Sequence, residues 1–70
     1  MITLEEAKKK AERKTGLKAI QIGENKDSWI FTFSFDDCDD FCVISKANGN
    51  FINFCEEDLE ETEFNIIWAE

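Results

Sequence analysis

The sequence predicts an α+β fold, in which one N-terminal helix packs on a four- or five-stranded antiparallel meander sheet. In residues 29–35, four aromatic residues occupy every second position, so in a strand they share one face and form an apolar row. A capped helix start precedes this stretch, and an Asn-Gly pair between two apolar runs follows it, which is typical of a β-hairpin. We therefore expect a single domain over residues 1–70 with the aromatic strand at its centre.

The N-terminal helix is predicted from its two ends. Thr3 can accept a hydrogen bond from the Glu6 backbone N–H, and the Glu6 side chain can accept one from the Thr3 N–H, which makes a capping box. The helix is expected to run to about Thr15 and to be followed by Gly16 in a left-handed conformation. Its apolar stripe is narrow, which suits close packing on a sheet. The residues of this stripe are Leu4, Ala7 and Ala11.

The strands around the aromatic row follow from alternation and turn residues. Residues 17–24 alternate apolar with small or polar side chains and predict the first strand, and residues 24–28 predict the turn of a hairpin. The acidic residues 36–40 predict a loop, since four charges among five neighbours cannot be buried. Residues 41–45 predict the third strand. Residues 64–68 predict a fifth strand, with a helix as the alternative.

The hairpin at Asn48-Gly49 has two candidate registers. A two-residue loop places Cys42 opposite Cys55. In that register the two thiols could form a disulfide, although an odd cysteine count in a cytosolic setting favours reduced thiols.

A three-residue loop with a bulge at Gly49 is the preferred register. It places Ile44 opposite Ile52 and Cys42 opposite Phe54. We prefer it because it collects these four side chains on one face of the hairpin.

The net charge of −8 is unevenly distributed. Residues 1–18 carry six Lys or Arg against three Glu, whereas residues 19–70 carry two Lys against thirteen carboxylates. The acidic part should repel nucleic acid and anionic membranes and attract basic protein surfaces. The basic helix residues are interleaved with acids and are interpreted as a solvated face. The carboxylates expected to face a partner are Asp36, Asp37, Asp39, Asp40, Glu56, Glu57, Asp58, Glu60 and Glu61.

The composition argues against catalysis. The chain has no histidine and no tyrosine, so Cys38, Cys42 and Cys55 have no imidazole base to activate them. A zinc site on these thiols lacks closely spaced pairs and a fourth ligand, and the Asp cluster at residues 36–40 lacks the ligand spacing of a calcium loop. We expect no enzyme activity, no metal and no cofactor.

The sequence also predicts where the chain resides. It contains no run of about 18 apolar residues that could span a membrane. Glu5 and Glu6 lie where a secretory signal would be apolar. We therefore expect a cytoplasmic protein that does not contact membranes.

The helix opening at residues 2–7 and the hairpin at residues 44–52 resemble the PepSY-type plan of a helix followed by strands. The similarity covers roughly residues 2–54. The plan is also similar to that of small bacterial immunity proteins. That resemblance implies a protein that neutralises a toxin by binding it.

These observations predict a non-enzymatic acidic protein that occludes a basic protein partner, in the manner of a bacterial immunity protein. One alternative is a phage-encoded inhibitor that mimics nucleic acid on a defence nuclease, and another is a structural homodimer. Because one short helix covers only part of a sheet face, we expect some aromatic side chains to remain exposed. Rimmed by Asp and Glu, such a patch would suit a basic partner.

Overall fold

The computed structural model describes residues 1–33, 41–53 and 63–70. It confirms one N-terminal helix on a five-stranded antiparallel sheet, with the strand order β4-β3-β2-β1-β5. The aromatic strand β2 is central, as predicted. The elements are α1 Leu4–Thr15, β1 Gln21–Glu24, β2 Ser28–Thr32, β3 Phe41–Ser45, β4 Phe51–Ile52 and β5 Asn65–Ala69.

Helix α1 begins and ends where its capping signals predict. Thr3 Oγ1 accepts a hydrogen bond from the Glu6 N–H at 3.2 Å, and Gly16, with φ of 71°, donates its N–H to the Glu12 carbonyl at 2.8 Å. The second half of the capping box differs from the expectation. The Glu6 carboxylate accepts from the Thr3 hydroxyl at 3.3 Å, so the two residues are joined through their side chains.

The aromatic row of β2 is buried under the helix. Trp29 and Phe33 are 7% exposed and Phe31 is fully buried. The aromatic side chains expected to remain exposed are therefore not these three; Trp68 is the aromatic residue that is 41% exposed. The Ala7 and Ala11 methyl groups, themselves fully buried, let the helix backbone approach the sheet closely, so large rings fill the space between the two layers.

The opposite sheet face is also apolar. Val43 is 1% exposed and pairs with Ile30 of β2 and with Ile52 of β4. On the same face, a Cβ added at Gly23 would lie 2.9 Å from Ile30 Cγ2 and 3.1 Å from Phe64 Cβ. Because Gly23 has no side chain, Ile30 and Phe64 can approach the backbone of β1 closely at this position.

Both registers considered for the β3–β4 hairpin are wrong. The structure pairs Val43 with Ile52 and Ile44 with Phe51, which leaves a loop of four residues, 46–49. The longer loop shifts β4 by one residue from the preferred register, and this moves Phe51 onto the helix-facing side, where it packs against the core.

Side-chain and backbone hydrogen bonds within the turn explain the four-residue loop. The Ser45 carbonyl accepts from the Gly49 N–H at 2.9 Å, and the Ser45 N–H donates to the Asn50 carbonyl at 2.9 Å. Asn48 Oδ1 accepts from the Asn50 N–H at 2.9 Å. Gly49 has φ of 73°, a left-handed conformation that glycine adopts without strain.

The disulfide hypothesis depended on the two-residue loop, which does not form. Cys42 is a free, half-buried thiol. Cys38 and Cys55 lie outside the described residues.

Lys46 joins the turns at one end of the sheet. Its N–H donates to the Asp27 carbonyl at 2.9 Å, and its carbonyl accepts from the Ile2 N–H at 3.2 Å. Its Nζ lies 3.1 Å from Glu24 Oε2 and 5.3 Å from the ring centroid of Trp29. The start of the chain and both hairpin turns are therefore held together at this end.

The fifth strand predicted for the C-terminal stretch is confirmed as β5, but the strand does not continue a simple meander. It lies beside β1, where Ile22 pairs with Trp68 and Gly23 pairs with Ile66. Ile67 is the extra residue between these pairs, which makes it a β-bulge. Because of the bulge, the side chains of Ile67 and Trp68 both point to the helix side of the sheet. There they line a groove between α1 and β5.

Candidate functional site

The nine carboxylates predicted to face a partner all lie outside the described residues, in stretches 34–40 and 54–62. Three of the four described residues that flank them, Phe33, Phe41 and Asn53, lie at the end of the sheet where Gln21 pairs with Thr32 and with Ala69. The fourth, Glu63, leads into β5, whose first residue pairs with Glu24 at the other end. Both acidic stretches therefore follow directly from strands that end at this edge of the molecule.

The rest of the chain is almost neutral. Its described residues carry eight Lys or Arg against seven Asp or Glu, whereas the remaining nine carboxylates of the sequence have no cation among them. The net charge of −8 is thus concentrated in two short stretches. Such segregation concentrates the electrostatic field that would attract a cationic surface.

Three of the four lysines of α1 lie over aromatic rings at the sheet edges. Lys14 Nζ is 4.0 Å from the ring centroid of Phe51 in β4, and Lys8 Nζ is 4.9 Å from that of Trp68 in β5. Lys10 lies over Phe51 too, at 5.5 Å, and also donates to a backbone carbonyl of the β3–β4 turn. These contacts combine cation–π attraction with burial of the lysine methylenes. These three lysines therefore help to pack the helix on the sheet.

A shallow groove runs between the N-terminal half of α1 and β5. Its volume is about 310 Å³. Its floor and walls are apolar, and Glu5 and Lys8 stand at its rim. The apolar lining residues are Leu4, Ile22, Ile67 and Trp68.

Strand β5 supplies the largest exposed apolar surface near this groove. All five of its residues are exposed, and Ile66, Ile67 and Trp68 are 55%, 42% and 41% exposed. In the described part of the chain, β5 pairs only with β1, so its outer edge is open. The sequence analysis expected some exposed aromatic side chains but did not assign them to a strand; the available signal for β5 was the uncharged run at residues 64–69.

The described residues offer no activated nucleophile. Burial raises the pKa of the Cys42 thiol above its ordinary value of 9.0, although the nearby Lys14 ammonium lowers it in part. A thiol with a raised pKa carries little thiolate at neutral pH. Across residues 1–33, 41–53 and 63–70, no group of three or more Cys, Asp or Glu is arranged to hold a metal ion.

A membrane span is also missing from what the structure describes. None of the helical residues there forms a segment that is long and apolar enough to cross a bilayer. The single described helix, Leu4–Thr15, has 12 residues, against about 20 for a span.

Comparisons with protein-family models, with curated proteins and with solved structures found no match for this chain. The PepSY resemblance therefore remains a prediction from the sequence. What the chain does has to be argued from its own charges, burial and geometry.

Proposed function

We propose that this chain is a non-enzymatic binding protein that uses its two acidic stretches to occlude a basic protein partner, as a bacterial immunity protein occludes a toxin. The observation that carries the proposal is the segregation of charge. Nine carboxylates without a cation among them adjoin a framework with eight cations and seven carboxylates. A solvated surface that served solubility alone would need no such separation.

The position of the strand ends supports the same proposal. Phe33 follows β2 and Asn53 follows β4 at the same end of the sheet, so the described residues that lead into the two acidic stretches lie at that end. Several carboxylates acting on one cationic surface steer its approach and raise the association rate, and this effect weakens with salt. An inhibitor that must capture its target before damage occurs benefits from fast association.

A binding role without catalysis is supported by the chemistry of the described residues. Burial raises the pKa of the Cys42 thiol, and three lysines of α1 lie over aromatic rings. We place this role in the cytoplasm, and the PepSY resemblance is part of the proposal.

The test is a comparison of two variants with equal charge changes. In the first, Asp36, Asp37, Asp39 and Asp40 are replaced by Asn. In the matched control, four exposed carboxylates of the framework are neutralised to Gln or Asn instead. These are Glu5, Asp27, Glu63 and Glu70. Proteins retained from a bacterial lysate by the immobilised unaltered chain are identified, and each is purified and titrated against all three chains by calorimetry at low and high salt.

We expect at least one basic protein that binds the unaltered chain and the control with similar affinity. It should bind the Asn variant at least tenfold more weakly and should lose affinity steeply with salt. Its own activity should fall when the unaltered chain is bound. If every retained protein binds all three chains equally, or keeps its full activity in the complex, the proposal is wrong.

A further inference from the structure

A second groove, which does not involve β5, lies between α1 and the β3–β4 turn. We call it the helix–turn groove. Its volume is about 400 Å³, which lies within the range of small-molecule sites. Ile2 gives it an apolar lining, and two residues of the turn, Asn48 and Gly49, line it opposite the helix. The helix contributes one carboxylate and three cations, which are Glu6, Lys9, Lys10 and Arg13.

The cations of the helix–turn groove have no carboxylate paired with them in the described part of the chain. The only ion pair within residues 1–33, 41–53 and 63–70 involves neither the helix nor this groove, so Lys9 and Arg13 are unpaired there. Glu6 instead accepts from the Thr3 hydroxyl at 3.3 Å. Three cations against one carboxylate leave an excess of two positive charges, in a chain whose net charge is −8.

Hydrogen-bond donors are held in place on both sides of the groove. Lys10 donates to the Gly49 carbonyl and lies 5.5 Å from the ring centroid of Phe51. An ammonium group has three N–H donors, so two of them remain for a ligand. On the turn, Asn48 Oδ1 accepts from the Asn50 N–H at 2.9 Å, which leaves the amino group of the Asn48 side chain as a further donor.

The positive surface does not extend far along α1. The two lysines of the helix outside the groove lie over aromatic rings, Lys8 over Trp68 and Lys14 over Phe51. Nucleic acid is bound through many phosphates along an extended positive surface, and the acidic remainder of the chain repels such a polyanion. The excess of two positive charges in a concave site is instead matched by a compact ligand with two negative charges.

From these observations we propose that the helix–turn groove binds the phosphate group of a small phosphomonoester. This group carries about −1.5 to −2 charges at pH 7 and has three strong acceptor oxygens. The Arg13 guanidinium can bind two of these oxygens at once, and Lys9 and Lys10 supply point charges. The rest of the ligand lies against Ile2. The site uses none of the nine carboxylates proposed to capture a basic partner, so either proposal can fail without the other.

The experiment titrates ¹⁵N-labelled protein with phenyl phosphate and follows the backbone amide signals by NMR. Ionic strength is kept constant, and the pH is about 7.5, where the phosphate is mostly a dianion. Phenyl sulfate has a similar shape but a single negative charge, so it tests the match in charge. A single-stranded DNA oligonucleotide tests whether an extended polyanion occupies the groove instead.

Two double variants separate the groove from net charge. Lys9→Gln combined with Arg13→Gln removes two cations that line the groove. Lys18→Gln combined with Lys26→Gln makes the same change in charge at two exposed lysines that do not line it. Circular dichroism verifies that both variants keep the fold.

The unaltered chain should bind phenyl phosphate with a Kd of about 1 mM or lower, with the largest shifts at the amides of Asn48 and Gly49. K9Q/R13Q should weaken binding about tenfold or more, and K18Q/K26Q less than about threefold. Phenyl sulfate should bind the unaltered chain about fivefold more weakly or worse.

The proposal is overturned if phenyl phosphate gives no saturable shifts up to about 10 mM, or if the two double variants weaken binding equally. Equal affinity for phenyl sulfate would overturn it too, because the site would then not recognise a dianion. An oligonucleotide that binds the groove more tightly than phenyl phosphate would replace the small ligand with a polyanion.

Discussion

At the scale of single residues, Gly16 and Gly49 share a backbone conformation but differ in their surroundings. Both have φ near +70°, at 71° and 73°. A Cβ added at Gly16 would have no heavy atom within 4 Å, whereas one added at Gly49 would lie 3.0 Å from Ile2 Cδ1 and 3.1 Å from Ile2 Cγ2. The first glycine is therefore required for its conformation alone, and the second for its conformation and its size.

The two substitutions by alanine should differ accordingly. Gly16→Ala should lower the free energy of unfolding by about 1 kcal/mol, the cost of a left-handed alanine. Gly49→Ala should lower it by about 2 to 4 kcal/mol, because Ile2 must also move from its place against the core. Urea unfolding of both variants followed by circular dichroism measures the difference. Equal losses would show that the Ile2 contact does not constrain Gly49.

At the scale of elements, α1 is attached to the sheet at both edges. Lys14 covers Phe51 of β4, the shortest described strand, and Lys8 covers Trp68 of β5. The alanine stripe packs on the middle of the sheet between these contacts. The lysine side chains thus cover aromatic rings at the sheet edges, which the narrow apolar stripe of the helix does not cover.

This attachment predicts different effects for two lysines of the same helix. Lys14→Gln should destabilise the fold by about 0.5 to 1 kcal/mol, because it removes the cation from the Phe51 ring and shortens the covering side chain. Lys9→Gln makes the same change in charge at a residue that lies over none of these rings and should change stability by less than about 0.5 kcal/mol. Thermal unfolding of both variants is the measurement. Identical midpoints would mean that the ring contact contributes nothing to stability.

The elements predicted best are those whose signals are local. Thr3 and Gly16 fixed the ends of α1 through hydrogen bonds within a few residues, and β3 begins and ends where its composition indicated. The position of β5 beside β1 was not predictable in this way, because it depends on a pairing between Glu24 and Asn65 across most of the chain. Alternation identifies a strand but not its neighbour.

The candidate sites, too, could be predicted only where they depend on local signals. The β3–β4 register was wrong because the Asn48 side chain and the Ser45 carbonyl stabilise a longer loop than an Asn-Gly pair normally indicates. The groove was not predicted, since it arises only when the bulge at Ile67 and the pairing with β1 are known. The nine acidic residues were identified from composition, which requires no pairing, and their role remains a prediction.

At the scale of the whole molecule, the concentrated charge acts over the full width of the fold. The principal extents are 29, 25 and 20 Å, and the Debye length is about 30 Å at 0.01 M salt and about 3 Å at 1 M. At low salt, charges anywhere on a fold of this size therefore interact with one another. Compaction brings these charges together, and their repulsion opposes folding.

The midpoint temperature of thermal unfolding should consequently rise by a few degrees between about 0.01 M and 1 M NaCl. Neutralising the four aspartates of residues 36–40 should raise the unfolding midpoint at low salt. It should also reduce the increase in midpoint that added salt produces. Neutralising four other carboxylates, Glu5, Asp27, Glu63 and Glu70, should raise the low-salt midpoint less, because two of them, Glu5 and Asp27, lie close to lysines in the sequence. Differential scanning calorimetry of dilute protein measures all three chains. Equal rises for the two variants would show that only net charge matters.

The strand order also determines when the sheet can be completed during synthesis. Strand β1 pairs with β2 almost at once, but its other edge pairs with β5, and Glu24 is separated from Asn65 by 41 positions. At roughly 5 to 20 residues per second, a ribosome needs about two to eight seconds to make the intervening chain. Until β5 has been made and has paired, β1, including Ile22, has an unpaired edge, which makes this strand the place where a chaperone or another chain would bind.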